Sequence, residues 1–242
     1  MKVEIWSDIA CPFCYIGKTK LEEALADFPA KKQVNMEYKS YQLDPNAPLY
    51  EGRPYYDTLA DKFGSVEQAK QMTENIANHA KEAGLEFNFD QMKATNTLDA
   101  HRLLHFAKAH EKALELKNQL FIAHFTDGKD IGDINVLSEL AESVGLNVAE
   151  TKKVLIDKTA YRDAVAFDVQ EAQQFGITGV PYFIFNRKYA ISGAQPKEAF
   201  FQALEKIQAE EQTTSPFETL NTDANAAACE DGNCEVPQSE EK

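Results

Sequence analysis

The chain has 242 residues, of which 43% are hydrophobic and 26% are charged, so it can bury a full hydrophobic core. This length predicts either two domains or one domain with a large insertion. The net charge of −14 argues against nucleic acid or an anionic membrane surface as a partner, because both would require clustered Lys and Arg. No run of about 18 apolar residues occurs, and Glu4 interrupts the apolar stretch that a signal peptide would need. The sequence therefore predicts a cytoplasmic protein.

The N-terminal segment has the pattern of a strand, a helix and a second strand. Apolar residues at positions 3, 5 and 6 predict a short strand, and those at 16, 21, 25 and 28 recur near helical spacing until Pro29 stops the helix. Residues 34–43 then alternate in polarity as a second strand, which is closed by the turn-forming D-P-N-A-P at 44–48.

Amphipathic helices follow one another from about residue 55 to residue 175. Their predicted starts are at Ser65, Asn96, Asn135 and Asn147, and their predicted ends are at Gly84, Gly128, Gly145 and Gly176. Residues 181–193 then have the pattern of two aromatic-rich strands around a turn at Asn186 and Arg187, and a last helix is predicted with Pro196 as its first residue. Because strand–helix–strand crossovers are right-handed, this order predicts a mixed sheet of four strands whose first two are parallel.

Cys11 and Cys14 stand where the first strand gives way to the first helix, in the motif C-P-F-C. In a reducing cytoplasm, close cysteine pairs are more often redox or metal groups than structural disulfides. If Cys11 caps the helix, unpaired N–H groups and the positive end of the helix dipole favour its thiolate, and cysteines in such motifs have pKa values of about 3.5 to 7.5. Cys14 lies one turn further on the same face and can attack a mixed disulfide formed at Cys11. We therefore predict that Cys11 is the nucleophile and Cys14 the resolving cysteine.

A zinc site is the main alternative for a C-x-x-C motif, and it would need two further Cys or His ligands. A second C-x-x-C is absent from the sequence, and the five histidines, at positions 79, 101, 105, 110 and 124, show no ligand spacing relative to the cysteines. His101 and His105 share a helix face, but such histidines are more often surface or partly buried core residues. We predict neither a metal nor another cofactor.

Pro181 stands directly before the late strand in G-I-T-G-V-P-Y-F, where a central strand tolerates proline only at a special bond or edge. The motifs S-D-I-A-C-P-F-C-Y-I-G and G-V-P-Y-F-I-F, separated by a long helical insertion, resemble the DsbA family of thiol-disulfide oxidoreductases over roughly the first 210 residues. The segment N-T-L-D-A-H-R-L at 96–103 is similar to the insertion of the FrnE-like branch, which is related to 2-hydroxychromene-2-carboxylate isomerases and kappa-class glutathione transferases.

The resemblance implies a fold of the α/β class, a thioredoxin fold with a large all-helical insertion. We expect residues 1–54 and 176–210 to form the thioredoxin-like domain, residues 55–175 the helical insertion domain, and residues 211–242 an acidic flexible tail.

The resemblance also implies an enzyme, a thiol-disulfide oxidoreductase or isomerase that acts on cysteine-containing proteins. In this family the bond before the proline, here Val180–Pro181, is a cis peptide facing the cysteine pair. Residues Pro12, Phe13, Val180 and Pro181 are accordingly the predicted substrate-docking positions.

Two alternatives stay open. The isomerase and transferase relatives bind glutathione and characteristically have serine where this chain has Cys11, so glutathione is a second candidate partner and a glutathione-dependent isomerase or transferase an alternative function. Asn96, Thr97 and His101 are candidates for lining a small-molecule pocket, although helix capping explains Asn96 equally well. The non-enzymatic alternative is a holdase-type chaperone with an apolar groove between the helical insertion and the sheet.

The tail carries the second cysteine pair, Cys229 and Cys234, in C-E-D-G-N-C. The intervening residues include a glycine, so a tight loop could close a disulfide, whereas a metal would lack further ligands nearby. In FrnE-like members such a C-x4-C is a second redox pair, and the resemblance implies that this pair relays electrons to the first. The alternative is a pair of free thiols without function.

Overall fold

In the computed structural model, which describes residues 1–213, 228–230 and 233–235, a mixed sheet of four strands lies at the centre. The strands are β1 (Lys2–Ser7), β2 (Asn35–Ser40), β3 (Tyr182–Phe185) and β4 (Tyr189–Ser192), in the order β2-β1-β3-β4. β1 is parallel to β2, with Ile5 opposite Tyr38, and antiparallel to β3, with Ile5 opposite Phe183. The predicted sheet, with a parallel first pair and a late hairpin, is confirmed.

The helices of the described chain are α1 (Pro12–Asp27), α2 (Tyr55–Phe63), α3 (Val66–Glu82), α4 (Leu98–Ala109), α5 (Ala113–Phe121), α6 (Ile134–Ser143), α7 (Val148–Ile156), α8 (Arg162–Gln174) and α9 (Lys197–Thr213). α2 to α8 form the helical insertion, so the α/β class and the thioredoxin fold with a large all-helical insertion are confirmed. In the described part of the chain, no helix is long and apolar enough to cross a membrane.

Local hydrogen bonds decide where several helices begin. The side chains of Ser65 and Asn147 accept N–H groups of the first turn, as predicted. The N-cap of α6 lies two residues before the predicted Asn135, because Asp133 accepts the N–H groups of Asn135 and Val136. The second strand ends at Ser40 rather than at 43, since the chain turns away and its Leu43 N–H donates to the buried Asp8 carboxylate.

Two hydrophobic clusters take up different parts of α1. One lies between the sheet, α1 and α9, and it includes Ile5, Leu21, Phe183 and Phe200. The other fills the helical insertion and extends to Cys11, Cys14 and Tyr15, whose ring stacks on Phe121 with centroids 4.9 Å apart. The cysteine motif thus shares a core with the insertion, and the division into a thioredoxin-like domain and an insertion domain at 54–55 and 175–176 stays a prediction.

Residues 1–207 form one compact unit and residues 208–242 a second. α9 extends to Thr213, so its last three residues lie in the tail predicted to begin at 211. In the second unit, β5 (Ala228–Glu230) and β6 (Asn233–Glu235) form an antiparallel pair. The prediction of a flexible tail otherwise falls on residues outside the described chain.

Arg102 is fully buried, and its hydrogen bonds link α4 to the end of α7 and to the connection between α7 and α8. Its guanidinium donates to the carbonyl oxygens of Ala160, Val154 and Asp157 and to the carboxylate of Asp99. The preceding residue on α4, His101, contacts Asp8, three residues before Cys11. Arg102 therefore helps to fix the helix that carries His101.

We predict that Arg102→Met lowers the free energy of unfolding by about 3 kcal/mol, because removing the cation leaves buried carbonyls and a carboxylate without their donor. Urea unfolding measures this change. Arg162→Met is the matched control, since Arg162 is exposed at the start of α8 and should cost less than about 0.5 kcal/mol. Equal losses in the two variants would contradict this role of Arg102.

Candidate active site

The cysteine motif lies at the junction of β1 and α1. Cys11 precedes the helix with an extended backbone, φ −91° and ψ 113°, and Pro12 is the first helical residue. Proline suits this position because the N–H that it lacks would have no partner within the helix. The positive end of the helix dipole therefore faces the sulfur of Cys11, as the sequence predicted.

The thiols of Cys11 and Cys14 are free and close together, and their surroundings shift their pKa values in opposite directions. A hydrogen bond from the Cys14 thiol is the main cause that lowers the pKa of Cys11; burial opposes it, and the N–H groups of Cys14 and Phe13 beside the sulfur support it. Burial first, and Cys11 second, raise the pKa of Cys14 well above its ordinary value. Cys11 is therefore the better candidate for a thiolate at neutral pH.

Val180 and Pro181 face the pair from the start of β3, and the bond between them is cis. The Cys11 Sγ lies 3.5 Å from the carbonyl oxygen of Val180, to which the thiol donates. Pro181 is buried against α1 at Gly17, where an added Cβ would come within 3.1 Å of the proline ring. Phe13, in contrast, is 40% exposed beside Cys11. Of the predicted docking residues, Val180 contacts the Cys11 sulfur, Pro12 and Phe13 follow Cys11 in the chain, and Pro181 packs on α1.

The carboxylate of Asp8 joins three segments next to the motif. It accepts the Leu43 N–H at 2.8 Å and the Ala10 N–H at 3.4 Å, and it lies 3.3 Å from Nε2 of His101 on α4. Burial alone would raise the pKa of Asp8, but the hydrogen bonds from His101 and the Leu43 N–H hold it below its ordinary value. Burial lowers the pKa of His101. A neutral imidazole therefore donates to an ionised carboxylate.

The candidate pocket residues anchor a loop or contact Asp8. The Asn96 amide donates to the carbonyl oxygens of Pro45 and Ala47, and its oxygen accepts the Leu98 N–H from one residue before the N-cap, which is Thr97. Thr97 is buried directly before α4. His101 serves Asp8.

His101 and His105 lie on one face of α4 but contact different carboxylates. His101 faces Asp8, whereas Nε2 of His105 lies 3.1 Å from Asp168 on α8. Within the described residues, no group of three or more His, Cys, Asp or Glu side chains is arranged to hold a metal ion.

Lys117 is a buried cation near the motif that the sequence analysis missed. It lies on α5 at 1% exposure, with its ammonium group 3.5 Å from the carbonyl oxygen of Ser7 and 4.9 Å from the ring centroid of Phe121. The available signal was its position: Lys117 and Phe121 are four residues apart, so the lysine falls on the apolar face of the helix.

The second cysteine pair lies in the strands of the tail. Cys229 on β5 is directly opposite Cys234 on β6 in the antiparallel register. Residues directly opposite in an antiparallel pair have Cα atoms about 4.5 to 5.5 Å apart, a range in which disulfides form. A disulfide between Cys229 and Cys234 stays a prediction.

At mildly acidic pH we expect iodoacetamide to alkylate Cys11 before Cys14, because the pKa of Cys11 is lowered and that of Cys14 is raised. Peptide mapping of the labelled protein against pH measures the order. In Cys14→Ala, which removes the donor to the Cys11 sulfur, the pH midpoint of Cys11 labelling should move upward. Faster labelling of Cys14, or an unchanged midpoint in the variant, would contradict the assignment.

Comparison with known proteins agrees with this geometry. The model of the DSBA-like thioredoxin domain matches residues 2–205. The uncharacterized protein YwbO of Bacillus subtilis (strain 168) is 33% identical over 204 residues, which cover 84% of this chain and 94% of YwbO.

Two solved structures are also similar to this chain. The crystal structure of a probable DsbA oxidoreductase from Streptomyces coelicolor is 39% identical, with a TM-score of 0.83, and covers 98% of this chain and 100% of its own. The cytosolic disulfide reductase DsbM from Pseudomonas aeruginosa, solved with GSH, shares the fold at 16% identity, with a TM-score of 0.62 and coverage of 86% and 100%. The chain belongs to the DsbA-like thioredoxin-domain family of oxidoreductases.

Proposed function

We propose that the protein is a thiol-disulfide oxidoreductase or isomerase that exchanges disulfides with cysteine-containing proteins through Cys11 and Cys14. The observation that carries the proposal is the position of the Cys11 sulfur, which lies at the N-terminus of α1, 3.5 Å from the Val180 carbonyl oxygen, with the free thiol of Cys14 one turn further along the helix. A low-pKa cysteine paired with a buried cysteine of high pKa is the arrangement that dithiol exchange requires.

The exchange proceeds in two attacks. The Cys11 thiolate attacks one sulfur of a client disulfide, forming a Cys11–client bond and releasing the other client sulfur as a thiolate. Cys14 then loses its proton and attacks the Cys11 sulfur, which forms the Cys11–Cys14 disulfide and releases the reduced client. Two electrons pass from the protein to the client. The same steps in reverse oxidise a client dithiol.

The surroundings of Cys11 support an extended protein segment as the substrate. Phe13 offers an exposed aromatic ring beside the sulfur, and the Val180 carbonyl is held at the sulfur by the buried Pro181. A client backbone that approached Cys11 would lie between these groups.

Glutathione is a second candidate substrate of the same sulfur, because the structural neighbour DsbM was solved with GSH. The glutathione-dependent isomerase or transferase alternative has less support, since relatives of that kind use serine where this chain has Cys11 and the described geometry couples Cys11 to Cys14. The cytoplasm stays the proposed compartment, where thiol reductants would keep the pair reduced.

Serine replacements test the proposal with insulin as the client. Cys11→Ser should abolish reduction of insulin disulfides, whereas Cys14→Ser should accumulate a mixed disulfide between Cys11 and insulin, because its resolving thiol is missing. Non-reducing electrophoresis and peptide mass spectrometry detect the adduct. A holdase would suppress aggregation of a client equally in both variants without any adduct, and that result would overturn the proposal.

We further propose that the tail pair relays electrons to or from Cys11. The supporting observation is the direct pairing of Cys229 with Cys234 in the strand register. Cys14→Ser, mildly oxidised without a client, should then trap a disulfide between Cys11 and one tail cysteine, and truncation after about residue 215 should slow turnover without lowering stability. Full activity of the truncated protein and no trapped disulfide would leave the pair without a redox role.

A further inference from the structure

Lys117 has no role in the exchange described so far, and its surroundings are unusual for a lysine. Its ammonium group is enclosed by the carbonyl oxygen of Ser7 and by the rings of Phe121 and Tyr38, at 4.9 Å and 5.4 Å from the ring centroids. In the described part of the chain, it forms no salt bridge with a carboxylate. Burying an ammonium without such a partner costs stability, so its position calls for an explanation.

The two charged groups beside the dithiol have opposite effects on the thiol pKa values. The carboxylate of Asp8 raises the pKa of Cys11, whereas the ammonium of Lys117 lowers the pKa of Cys14. In return, Cys14 acts on Lys117 more strongly than Asp8 or Cys11 does. The contacts agree with this effect, because the ammonium lies over the Phe121 ring, and that ring stacks on Tyr15, the residue after Cys14.

We propose that Lys117 is a positioning residue for the resolving step, in which its ammonium charge stabilises the Cys14 thiolate that attacks the mixed disulfide on Cys11. This inference rests on the proposed dithiol exchange. The Cys14 thiol gives its proton to water, the thiolate forms the bond to the Cys11 sulfur, and the client sulfur leaves with the electron pair of the broken bond. Lys117 keeps its proton throughout.

The ammonium charge of Lys117 has its largest effect on Cys14 during the resolving step. In the mixed disulfide, Cys11 is no longer an anion, so its effect on Cys14 is lost, whereas the effect of Lys117 remains. Burial lowers the pKa of Lys117 to about 8, and the negative charges of Cys14, Asp8 and Cys11, in that order, oppose a larger fall. At neutral pH the side chain is therefore mostly charged.

A cavity of about 320 Å³ connects Lys117 with the outer edge of the sheet. β2, α4 and α5 form its walls, the exposed Asn35, Lys108 and Glu111 lie among its lining residues, and the buried His101 and Lys117 line it further in. The cavity thus reaches the ammonium side of the site, and Cys14 itself is not among its lining residues.

Ellman's reagent separates the two attacks, because Cys11 releases the first thionitrobenzoate and Cys14 releases the second from the mixed disulfide. The parent for the test is the full chain with Cys229→Ser and Cys234→Ser, so that only Cys11 and Cys14 react. In Lys117→Met the second phase should slow about tenfold at neutral pH, and its pH midpoint should rise by about one unit. The first phase should change by less than about twofold.

Three comparisons complete the experiment. Lys117→Arg, which keeps the charge, should restore much of the second phase. Lys112→Met, on the residue before α5, should match the parent, since Lys112 is partly exposed and pairs with Glu115. Lys117→Gln repeats the test with a polar neutral side chain, and thermal unfolding verifies that each variant is folded. The pH profile of the second phase is interpreted together with the titratable groups around Lys117, which are Asp8, Cys11, Cys14, Tyr38 and His101.

The outcomes are distinct. A second phase with unchanged rate and pH midpoint in Lys117→Met and Lys117→Gln would overturn the role of Lys117, as would equal slowing of both phases. A parent that releases no thionitrobenzoate from Cys11 would overturn the proposed exchange itself, and the role of Lys117 with it.

Discussion

The site depends on the contact between the N-terminus of a sixteen-residue helix and the sulfur of Cys11. A thiol at 4% exposure would ordinarily stay protonated, because burial raises its pKa. The Cys14 thiol, and after it the backbone N–H groups of Cys14 and Phe13 at the start of the helix, outweigh that effect. The backbone before the helix is fixed in turn by Asp8, whose carbonyl oxygen accepts the Cys11 N–H at 3.3 Å. Any shift of the helix start would therefore move the sulfur out of the field that stabilises its thiolate.

The helical insertion is part of this site rather than an addition to it. α4 supplies His101 to the Asp8 carboxylate, and α5 supplies Lys117 near Cys14. Tyr15, directly after Cys14, stacks on Phe121 of α5. Because one hydrophobic cluster includes both the cysteines and the insertion, a change in how the insertion packs would also change the surroundings of the two thiols.

Much of this arrangement could be predicted from the sequence, because it depends on local signals. The strand, Cys11, Pro12 and the amphipathic pattern of α1 lie within one short segment, and capping residues and glycines mark the ends of α3 and α6, whereas the breaks between α4 and α5 and between α7 and α8 were not predicted. The long-range contacts could not be predicted in this way. His101 is 93 residues from Asp8, and Lys117 is 110 residues from Ser7, so only the packed insertion brings them to the motif. The strand predicted to reach residue 43 ends at Ser40 for the same reason, since a tertiary hydrogen bond to Asp8 overrides local β-propensity.

A redox titration in glutathione buffers, followed by mass spectrometry of the alkylated protein, tests most directly whether Cys11 and Cys14 act as one redox pair. We expect a single two-electron transition in which both thiols disappear together, with a midpoint between about −270 and −120 mV, the range of dithiol oxidoreductases. A pair that stays reduced across that range, or that yields only a glutathione adduct on Cys11, would contradict it.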